Sequence, residues 1–545
     1  MSYRILSMEG NYMSNKIVTK KDQMVKDYAA LTKKNGAHPT YSEFMADSGH
    51  TRAAVQHHWF SKDALREAAK KAFPESFDGV IDEELYNPQS FKKLTDSLSK
   101  YKRFFITTAV AGAPVDKKAL KSAKQYCKVN KAALLVLTAD NNLAEIDADL
   151  VSDPDVNIVF ADFALNKNLH ISTIKINPKA VDPVTGLARI GQRDGSFIFA
   201  SPKQRLKFIP NSNMNLPHCL MTTGAITKPV YEGKQYSQQR TDFIANYDHV
   251  MGALVIEIEN AMTFHFRQVQ FEKSGNFVDL NNYYQGTRVS KLTPKALVLG
   301  DYHSIDKDPV ADAAYKNLMK ELKPETLVLH DAFDGKSISH HDQHKKLYRT
   351  MLSEQGKLSL EKELKVLTND LNDLSCLVKQ VVMVKSNHDE FLTRYLDDSR
   401  YINEPHNYKI AAILTGQMVQ GKDPLKFGVE SMGLKEPSKF KWLRRDEDFM
   451  VARIQLGAHG DKGGNGSKGT LASMENAYGL SVSGHSHTPE ILRGAWQVGT
   501  TSKLNLDYTK GSPSSWFHTA CLVYPNGSRQ LINIVDGKWR MKPVK

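Results

Sequence analysis

Cysteine is scarce in this sequence, with four residues in 545 and no pair at the Cys-X-X-Cys spacing. So few and scattered cysteines suggest neither a disulfide framework nor a thiolate zinc site. No apolar run approaches the roughly 18 to 20 residues that a membrane-spanning helix needs. The first residues lack the basic start, apolar stretch and cleavage site of a secretory signal. We therefore expect no membrane partner and a reducing, cytoplasmic location.

Positive charge is in excess, with 73 lysines and arginines against 60 acidic residues, a formal net charge of +13. A surplus of this size suits a polyanionic partner, with nucleic acid as the leading candidate. A basic but ordinary surface explains the charge equally well. The 41% hydrophobic content is that of a globular protein, and the length predicts two or three domains.

The first 74 residues predict a compact helical domain. A helix over 41–46, a turn at Gly49 and a second helix over 51–60 form a helix-turn-helix pattern, whose second helix can enter a DNA major groove. Arg52 and Gln56 on that helix are the candidate DNA contacts. A small helical docking module would show the same pattern, so both interpretations stay open.

An acidic linker is expected over 75–92, followed by an α/β domain over 93–290. A strand over 103–108, a helix over 117–128 and a strand over 132–138 predict a βαβ unit. We find no phosphate-cradling glycine motif in it. A scaffold or oligomerisation role is the default.

From residue 291 to 545 we predict a third α/β domain, a sandwich with an insertion over 390–450. Short apolar strands alternate with helical stretches, and five strands end in polar clusters: ALVLG-DYH, TLVLH-DAFD, VVMVKS-NHD, ARIQLGA-HGD and LSVSG-HSH. Buried strands with chemistry at their carboxyl ends predict a site built from loops.

These clusters contain the residue types that hold two divalent ions. A pair of metals can clamp a phosphoryl group and activate water, and the pair needs carboxylates, other hard oxygens and neutral imidazoles. Asp301 and His303, spaced i and i+2, can point to one side at a strand end, and His485 and His487 repeat the spacing. Gly484 would ease a close approach of the backbone.

The five clusters together resemble the motifs of the calcineurin-like metallophosphoesterase superfamily, which run D-x-H, G-D-x-x-D, G-N-H-D/E, a lone H near glycine, and G-H-x-H. The resemblance covers residues 294 to 535. It implies two divalent ions, with Mn²⁺ expected and Mg²⁺, Zn²⁺ or Fe²⁺ as alternatives. It further implies seven metal ligands, with Asp331 as the bridge: Asp301, His303, Asp331, Asn387, His459, His485 and His487.

The same resemblance implies a catalytic role for His388. It would lie next to the substrate, stabilising the transition state or protonating the leaving oxygen, while a hydroxide between the ions attacks phosphorus. Asp389 would orient His388 through its other ring nitrogen. Asp334 is either a supporting residue or a loop cap.

Two positions depart from the family pattern, because His330 and Ser386 replace the glycines usual before Asp331 and Asn387. Neither replaces a ligand, so we expect activity to survive, with His330 adding a hydrogen bond or crowding the bridge. A long helix is predicted over 341–380. His340, His341 and His344 on or before it are interpreted as facing solvent, with substrate contact as the alternative.

The insertion contains the run KEPSKFKWLRR, in which cations alternate with aromatic rings in a way that suits a phosphate backbone and unstacked bases. A surface strand with ordinary lysines is the alternative. A glycine-rich loop over 460–469 could hold a DNA strand at the metals. The candidate DNA contacts here are Lys439, Lys441, Trp442, Arg444, Arg445, Lys462 and Lys468.

We therefore predict a DNA nuclease. A phosphatase or nucleotide phosphodiesterase of the same superfamily is one alternative, and a DNA-binding regulator with a vestigial phosphoesterase domain is another. In size, motif set and added N-terminal domains, the chain also resembles the pre-early nucleases with which T-five-type coliphages degrade host DNA. That likeness would imply a manganese- or magnesium-dependent DNase that acts as a homo-oligomer in the cytoplasm of an infected bacterium.

Overall fold

The computed structural model describes residues 19–35, 38–39, 41–60, 62–77, 88–139, 146–212, 216–231, 236–506 and 509–544. Its described residues divide into two compact units, with the division between residues 90 and 91. Most of the predicted linker, residues 78–87, lies outside the described residues. So do the first 18 residues of the predicted helical domain.

The first unit is helical, as predicted. Met24, Tyr28 and Leu31 recur at helical spacing and are buried. They pack against Val55, Leu65 and other apolar residues of one small core. Gly49 takes a left-handed φ of 69° at the turn. The helices are α1 Lys20–Asn35, α2 Tyr41–Ser48, α3 Arg52–Trp59 and α4 Lys62–Ala72.

The next helix, α5, begins before the division between the units, and the remaining helices belong to the second unit. After α5 Pro88–Leu98, the helices before residue 290 are α6 Lys117–Asn130, α7 Ala148–Val151, α8 Ala188–Asp194 and α9 Tyr236–Asp248. Those after it are α10 Pro309–Leu322, α11 Lys346–Glu354, α12 Leu360–Ser375, α13 Asn387–Asp397, α14 Pro405–Val419, α15 Pro424–Ser431 and α16 Leu471–Tyr478.

The strands before residue 295 are β1 Arg103–Ala109, β2 Ala133–Thr138, β3 Val156–Val159, β4 Phe163–Asn166, β5 Leu169–Ser172, β6 Ser196–Phe199, β7 Arg205–Ile209, β8 His218–Thr222, β9 Gly252–Ile258, β10 Phe264–Gln270, β11 Phe277–Asp279, β12 Asn282–Gln285 and β13 Arg288–Lys291. Those after it are β14 Ala296–Val298, β15 Thr326–Leu329, β16 Gln380–Met383, β17 Phe440–Trp442, β18 Met450–Val451, β19 Ile454–Gln455, β20 Ser481–Ser483, β21 Glu490–Leu492, β22 Ala495–Gln497, β23 Thr519–Val523 and β24 Arg529–Asn533.

The predicted βαβ unit is confirmed. β1 pairs in parallel with β2, and α6 connects them. Asp116 begins that helix, because its carboxylate accepts hydrogen bonds from the amides of Lys118 and Ala119. With three more strands the unit forms a five-stranded sheet in the order β10-β9-β1-β2-β3.

A six-stranded sheet, ordered β17-β16-β15-β14-β23-β24, carries most of the polar strand ends. Its side chains alternate between two cores, as the two-residue period of a strand requires. Leu297 and Leu327 face one core, where helices α10 and α12 to α15 pack. Val298 and Val328 face the other core. The sheet is therefore covered on both faces, as predicted for buried strands.

A ten-stranded sheet joins the two regions that the sequence divided at residue 291. Its order is β18-β19-β20-β22-β21-β7-β8-β6-β5-β4, and β21 pairs antiparallel with β7. The predicted regions 93–290 and 291–545 are therefore not separate compact units. Pairing between strands almost 300 residues apart leaves no local sequence signal, which is why the prediction separated them.

The long helix predicted over 341–380 is also corrected. The structure has two helices there, α11 and α12. Gly356 between them has a φ of 65°, and Ser359 begins α12 by accepting a hydrogen bond from the amide of Lys362. The helical pattern of apolar residues continued through the break and hid it. In the described part of the chain, no helix is long and apolar enough to cross a membrane.

Candidate metal centre

The predicted ligands lie at the carboxyl ends of strands from two sheets. Asp301 and His303 follow β14, and Asp331 follows β15. Asn387 is the first residue of α13, which follows β16. His459 follows β19, while His485 and His487 follow β20. The five clusters predicted from sequence therefore meet in space, although 186 positions separate the first residue from the last.

One group of donors consists of Asp301, His303, Asp331 and His487, all of them buried. Each residue offers an oxygen or ring nitrogen, and all four atoms lie within 4.8 Å of one another. Nε2 of His487 is 3.0 Å from Oδ2 of Asp301 and 3.1 Å from Nε2 of His303. Four donors converging on one point are what a divalent cation requires.

A second group consists of Asp331, His459 and His485, whose donor atoms also lie within 4.8 Å of one another. Nε2 of His459 is 3.2 Å from Oδ2 of Asp331 and 3.1 Å from Oδ1 of Asn387. Asp331 belongs to both groups. The geometry thus gives two adjacent sites with one shared carboxylate.

The chemistry of these donors fits metal ions. Asp301 and Asp331 are 0% and 2% exposed, and Oδ1 of Asp331 has no hydrogen-bond partner within the described residues. A buried carboxylate oxygen without a partner is costly. The ion pairs that the described residues make with either aspartate involve histidine. A bound cation would satisfy the orphaned oxygen and neutralise the two charges.

Backbone strain is concentrated at the same residues. His303, Asp331, His485 and His487 have φ angles of 45°, 40°, 76° and 60°. Residues other than glycine rarely adopt this left-handed backbone conformation, which costs roughly 1–3 kcal/mol per residue. The surrounding fold holds all four in it, and each conformation turns a donor toward the common centre.

The pKa shifts show how the acids and histidines influence one another. Burial is the largest single influence on the pKa of Asp331 and raises it, but His459, His388 and His303 together hold that pKa well below its usual range. Burial would lower the pKa of His459, yet Asp331 raises it to about 9. The same holds for His303. Burial would lower its pKa, but Asp334 raises it to about 9. The carboxylates and imidazoles of the two groups therefore lie close enough to shift one another's pKa.

Asp334 supports two histidines of the site. The sequence left two roles open for Asp334, a supporting residue or a loop cap. Its Oδ1 lies 3.4 Å from Nδ1 of His303. Its backbone oxygen lies 2.6 Å from Nδ1 of His388, and its Oδ2 accepts a hydrogen bond from the amide of Ile305. A ring nitrogen that faces a carbonyl must carry a proton. Nε2 of His388 is therefore the nitrogen that a substrate can reach.

The predicted role of Asp389 as the orienter of His388 is wrong. Its carboxylate accepts a hydrogen bond from the amide of Ser386, and the Ser386 hydroxyl accepts one from the amide of Asp389. This reciprocal pair is a capping box at the start of α13. Position i+1 on a helix points away from His388, so Asp389 holds the helix end instead.

His330, which replaces the usual glycine, makes contact with a ligand. Its Nδ1 lies 3.4 Å from Nδ1 of His459, with the two rings nearly parallel. Burial lowers the pKa of His330 to about 4, so the ring is neutral and can accept the Nδ1 proton of His459. That arrangement leaves Nε2 of His459 free for a metal.

Several supporting residues were missed by sequence reasoning. The Thr500 hydroxyl donates to the backbone oxygen of Asp301, and Gln497 donates to that of Gly484. A Cβ on Gly484 would lie 2.3 Å from Oδ1 of Asp301, so the glycine is required where it was expected. The ring of Trp516 lies 4.2 Å from that of His487. Threonine, glutamine and tryptophan in a strand-rich segment give no signal of such roles.

In the basic run of the insertion, some side chains pack against the core and others are exposed to solvent. β17 is an edge strand, with Phe440 buried and Trp442 packed against the core. Lys441 and Arg444 are exposed, and Lys439 pairs with Glu436. The alternation of rings and cations is therefore that of a strand with one buried face.

Arg445 and Lys462 share a carboxylate partner. Arg445 donates two hydrogen bonds to Asp461 and one to Glu390, at 2.7 to 3.0 Å. Nζ of Lys462 is 3.0 Å from Glu390. These ion pairs connect the glycine-rich loop to α13, so both cations have a structural partner. Lys468 lies on the rim of a cavity beside His485.

Arg52 and Gln56 lie one turn apart on α3 and are both exposed. The guanidinium of Arg52 lies 5.2 Å from the ring centre of Tyr41. The first unit therefore presents the predicted second helix of a helix-turn-helix with these two side chains on its exposed face. Contact with DNA stays a prediction.

The chain is similar to a bacteriophage protein and, in part, to a solved structure. No family model matches the chain. The chain is 28% identical over 469 residues to Protein A1 of Escherichia phage T5, which covers 80% of this chain and 83% of that protein. The crystal structure of Chaetomium thermophilum Vps29 matches 35% of this chain and 97% of its own at 13% identity, and the TM-score of 0.19 is too low to support any argument. The similarity to a protein of phage T5 agrees with the expected likeness to T-five-type phage proteins.

Proposed function

We propose that this chain is a metal-dependent DNA nuclease of the calcineurin-like metallophosphoesterase superfamily. The observation that carries the proposal is the pair of donor groups that share Asp331. When bound, two divalent ions supply Lewis acidity toward a phosphoryl group and a nucleophile derived from water. The mixed oxygen and imidazole donors suit Mn²⁺ foremost, with Mg²⁺, Zn²⁺ or Fe²⁺ as alternatives.

The remaining chemistry belongs to side chains of this chain. His388 directs Nε2 into the site because Asp334 engages Nδ1, and it is only partly buried. From that position Nε2 can hold a proton against a phosphate oxygen and transfer it to the leaving oxygen. Asp334 and His330 hold the rings of His303 and His459 in place.

DNA as the substrate is supported by charge and by similarity. The chain carries a net charge of +13, with Lys468 beside the centre and Lys441 and Arg444 exposed on the insertion. The similarity to a phage T5 protein over most of both chains favours a phage-encoded enzyme. Such an enzyme would degrade host DNA in the bacterial cytoplasm, as a homo-oligomer.

A nucleotide phosphodiesterase or phosphatase is the second candidate, because a cavity of about 600 Å³ beside His388 suits a small phosphoester. A regulator with a vestigial site is disfavoured, since the described donors converge and His388 is in place.

The test compares substrates at one enzyme concentration in Mn²⁺. Linear duplex DNA, circular duplex DNA and bis(p-nitrophenyl) phosphate are incubated with the wild type, with Asp331→Asn and with chelator. We expect the wild type alone to cleave DNA, and attack on the circle to identify endonuclease activity. Hydrolysis of the small ester with both DNAs intact would contradict the nuclease proposal and favour the phosphodiesterase.

A further inference from the structure

A cavity of about 600 Å³ opens beside the metal centre. His303 and His388, at the candidate metal centre, line it together with His341, Tyr348 and Phe391. Small-molecule sites usually occupy roughly 300–1,000 Å³. The cavity therefore has room for one nucleotide, and a base-paired duplex cannot enter it.

A row of rings leads outward along one wall. Ring centres are 5.0 Å apart between His303 and His388, 4.7 Å between His388 and Phe391, and 5.6 Å between Phe391 and His341. Phe391 follows His388 by three residues on α13, so both rings lie on one helix face. His341 thus takes part in the wall, in line with the alternative of substrate contact left open by the sequence.

Phe391 is held against the backbone opposite it. A Cβ on Gly335 would come within 3.0 Å of the Phe391 ring, so the glycine lets this ring approach closely. The turn that carries Gly335 is tied to α12, because Glu363 accepts hydrogen bonds from the amides of Lys336 and Ser337. The stacking surface is therefore preorganised.

The charges along the cavity are paired. Lys336 contacts both oxygens of Asp306 at 2.9 and 2.8 Å, and Lys345 contacts Asp342 at 2.8 Å. Paired cations attract a second phosphate weakly, whereas ring faces favour a nucleobase. The lining thus suits the neutral part of a nucleotide, and the buried donors beside it suit the phosphate.

We propose that this cavity binds the base and sugar of an unpaired nucleotide whose phosphate lies at the metal centre, with the base stacked on Phe391. The inference rests on the proposed function and names its substrate class: a nucleotide free of its complementary strand. Single strands, frayed ends and gaps present such an unpaired nucleotide, whereas an intact duplex must first unpair. A free mononucleotide carries the same chemistry.

The binding test avoids turnover. A trinucleotide that contains 2-aminopurine is titrated with the full-length chain in chelator, and base stacking is followed by fluorescence quenching. Loss of one base–ring stack weakens binding by roughly 5- to 150-fold. We expect that loss in Phe391→Leu, which keeps apolar bulk without a ring, and retention in Phe391→Tyr. Phe243→Ala, at a ring 72% exposed on α9, is the control and should match the wild type.

Equal quenching in Phe391→Leu and the wild type would overturn the proposal. So would a kcat/KM in Mn²⁺ that is the same for a single strand and its duplex. Competition by deoxyadenosine monophosphate distinguishes free nucleotides from a strand. If DNA is never cleaved but quenching still depends on Phe391, the nuclease proposal fails and the nucleotide site stands. If DNA is cleaved and Phe391→Leu changes neither assay, the cavity proposal fails alone.

Discussion

Two clusters of buried acids, one in each half of the second unit, are neutralised in different ways. In the first half, Arg267 forms two hydrogen bonds to Asp279 and one to Glu257, at 2.7 to 3.1 Å. In the second half, the ion pairs that the described residues form with Asp301 and Asp331 involve histidines. A fixed guanidinium completes a structural ion pair, whereas imidazoles can give up a proton and bind a metal.

The two clusters differ in features other than the pKa shifts of their acids. Both clusters shift pKa values, since Arg267 outweighs the burial that would raise the pKa of Glu257 and lowers it. A shifted pKa therefore does not identify a site by itself. Left-handed backbone at the donors and an orphaned oxygen on Asp331 occur at the histidine cluster. Those features distinguish the candidate metal centre from the ion pair.

The largest expected effect comes from Asp331→Asn. Removing the shared carboxylate removes the bridge between the two sites, so DNA cleavage should fall at least about 10,000-fold, a large part of a typical enzymatic acceleration. The melting temperature in chelator should also fall, because the substitution leaves the buried His459 without its carboxylate partner. Initial rates and thermal melts check both. If cleavage is retained, Asp331 has only a structural role, like Asp279.

His388→Gln should lower kcat by roughly 100- to 10,000-fold, the range for one proton-transferring group, with metal content unchanged. Asp389→Asn is the matched variant, since asparagine can still cap α13. We expect its kcat to stay within a few-fold of the wild type. Steady-state kinetics with metal analysis measures both. An equal loss in the two variants would restore Asp389 as the orienter.

Asp279→Asn should act on stability instead. Breaking a buried ion pair costs about 3–5 kcal/mol, although Glu257 and Gln530 keep part of the network. Chemical denaturation should show that loss, while the folded fraction cleaves DNA at the wild-type rate. Wild-type stability combined with lost activity would reverse the assignment of the two clusters.

The sequence predicted which candidate ligands converge, and much of the local structure, because both leave local signals. Asp301-Tyr302-His303 and Gly484-His485-Ser486-His487 are short spacings, and the helices of the first unit follow apolar periodicity. The pairing of β7 with β21 and the support from Thr500 depend on distant chain segments. Asp389 was misassigned because a family motif fixes residue type, while its side-chain direction depends on the helix cap.

The smallest effect is expected from His330→Ala, which removes the ring beside His459. Residues that orient a metal ligand typically contribute 10- to 100-fold to metal affinity. Mn²⁺ titration followed by electron paramagnetic resonance should show that weakening at one of the two sites. Unchanged affinity at both would mean that His330 only fills space.

Anomalous diffraction at the manganese edge, from crystals grown with Mn²⁺, tests the two-metal centre. We expect two peaks roughly 3.5–4 Å apart, with Asp331 between them. One peak should contact Asp301, His303 and His487, and the other Asn387, His459 and His485. A single peak, or none at these residues, would contradict a two-metal centre.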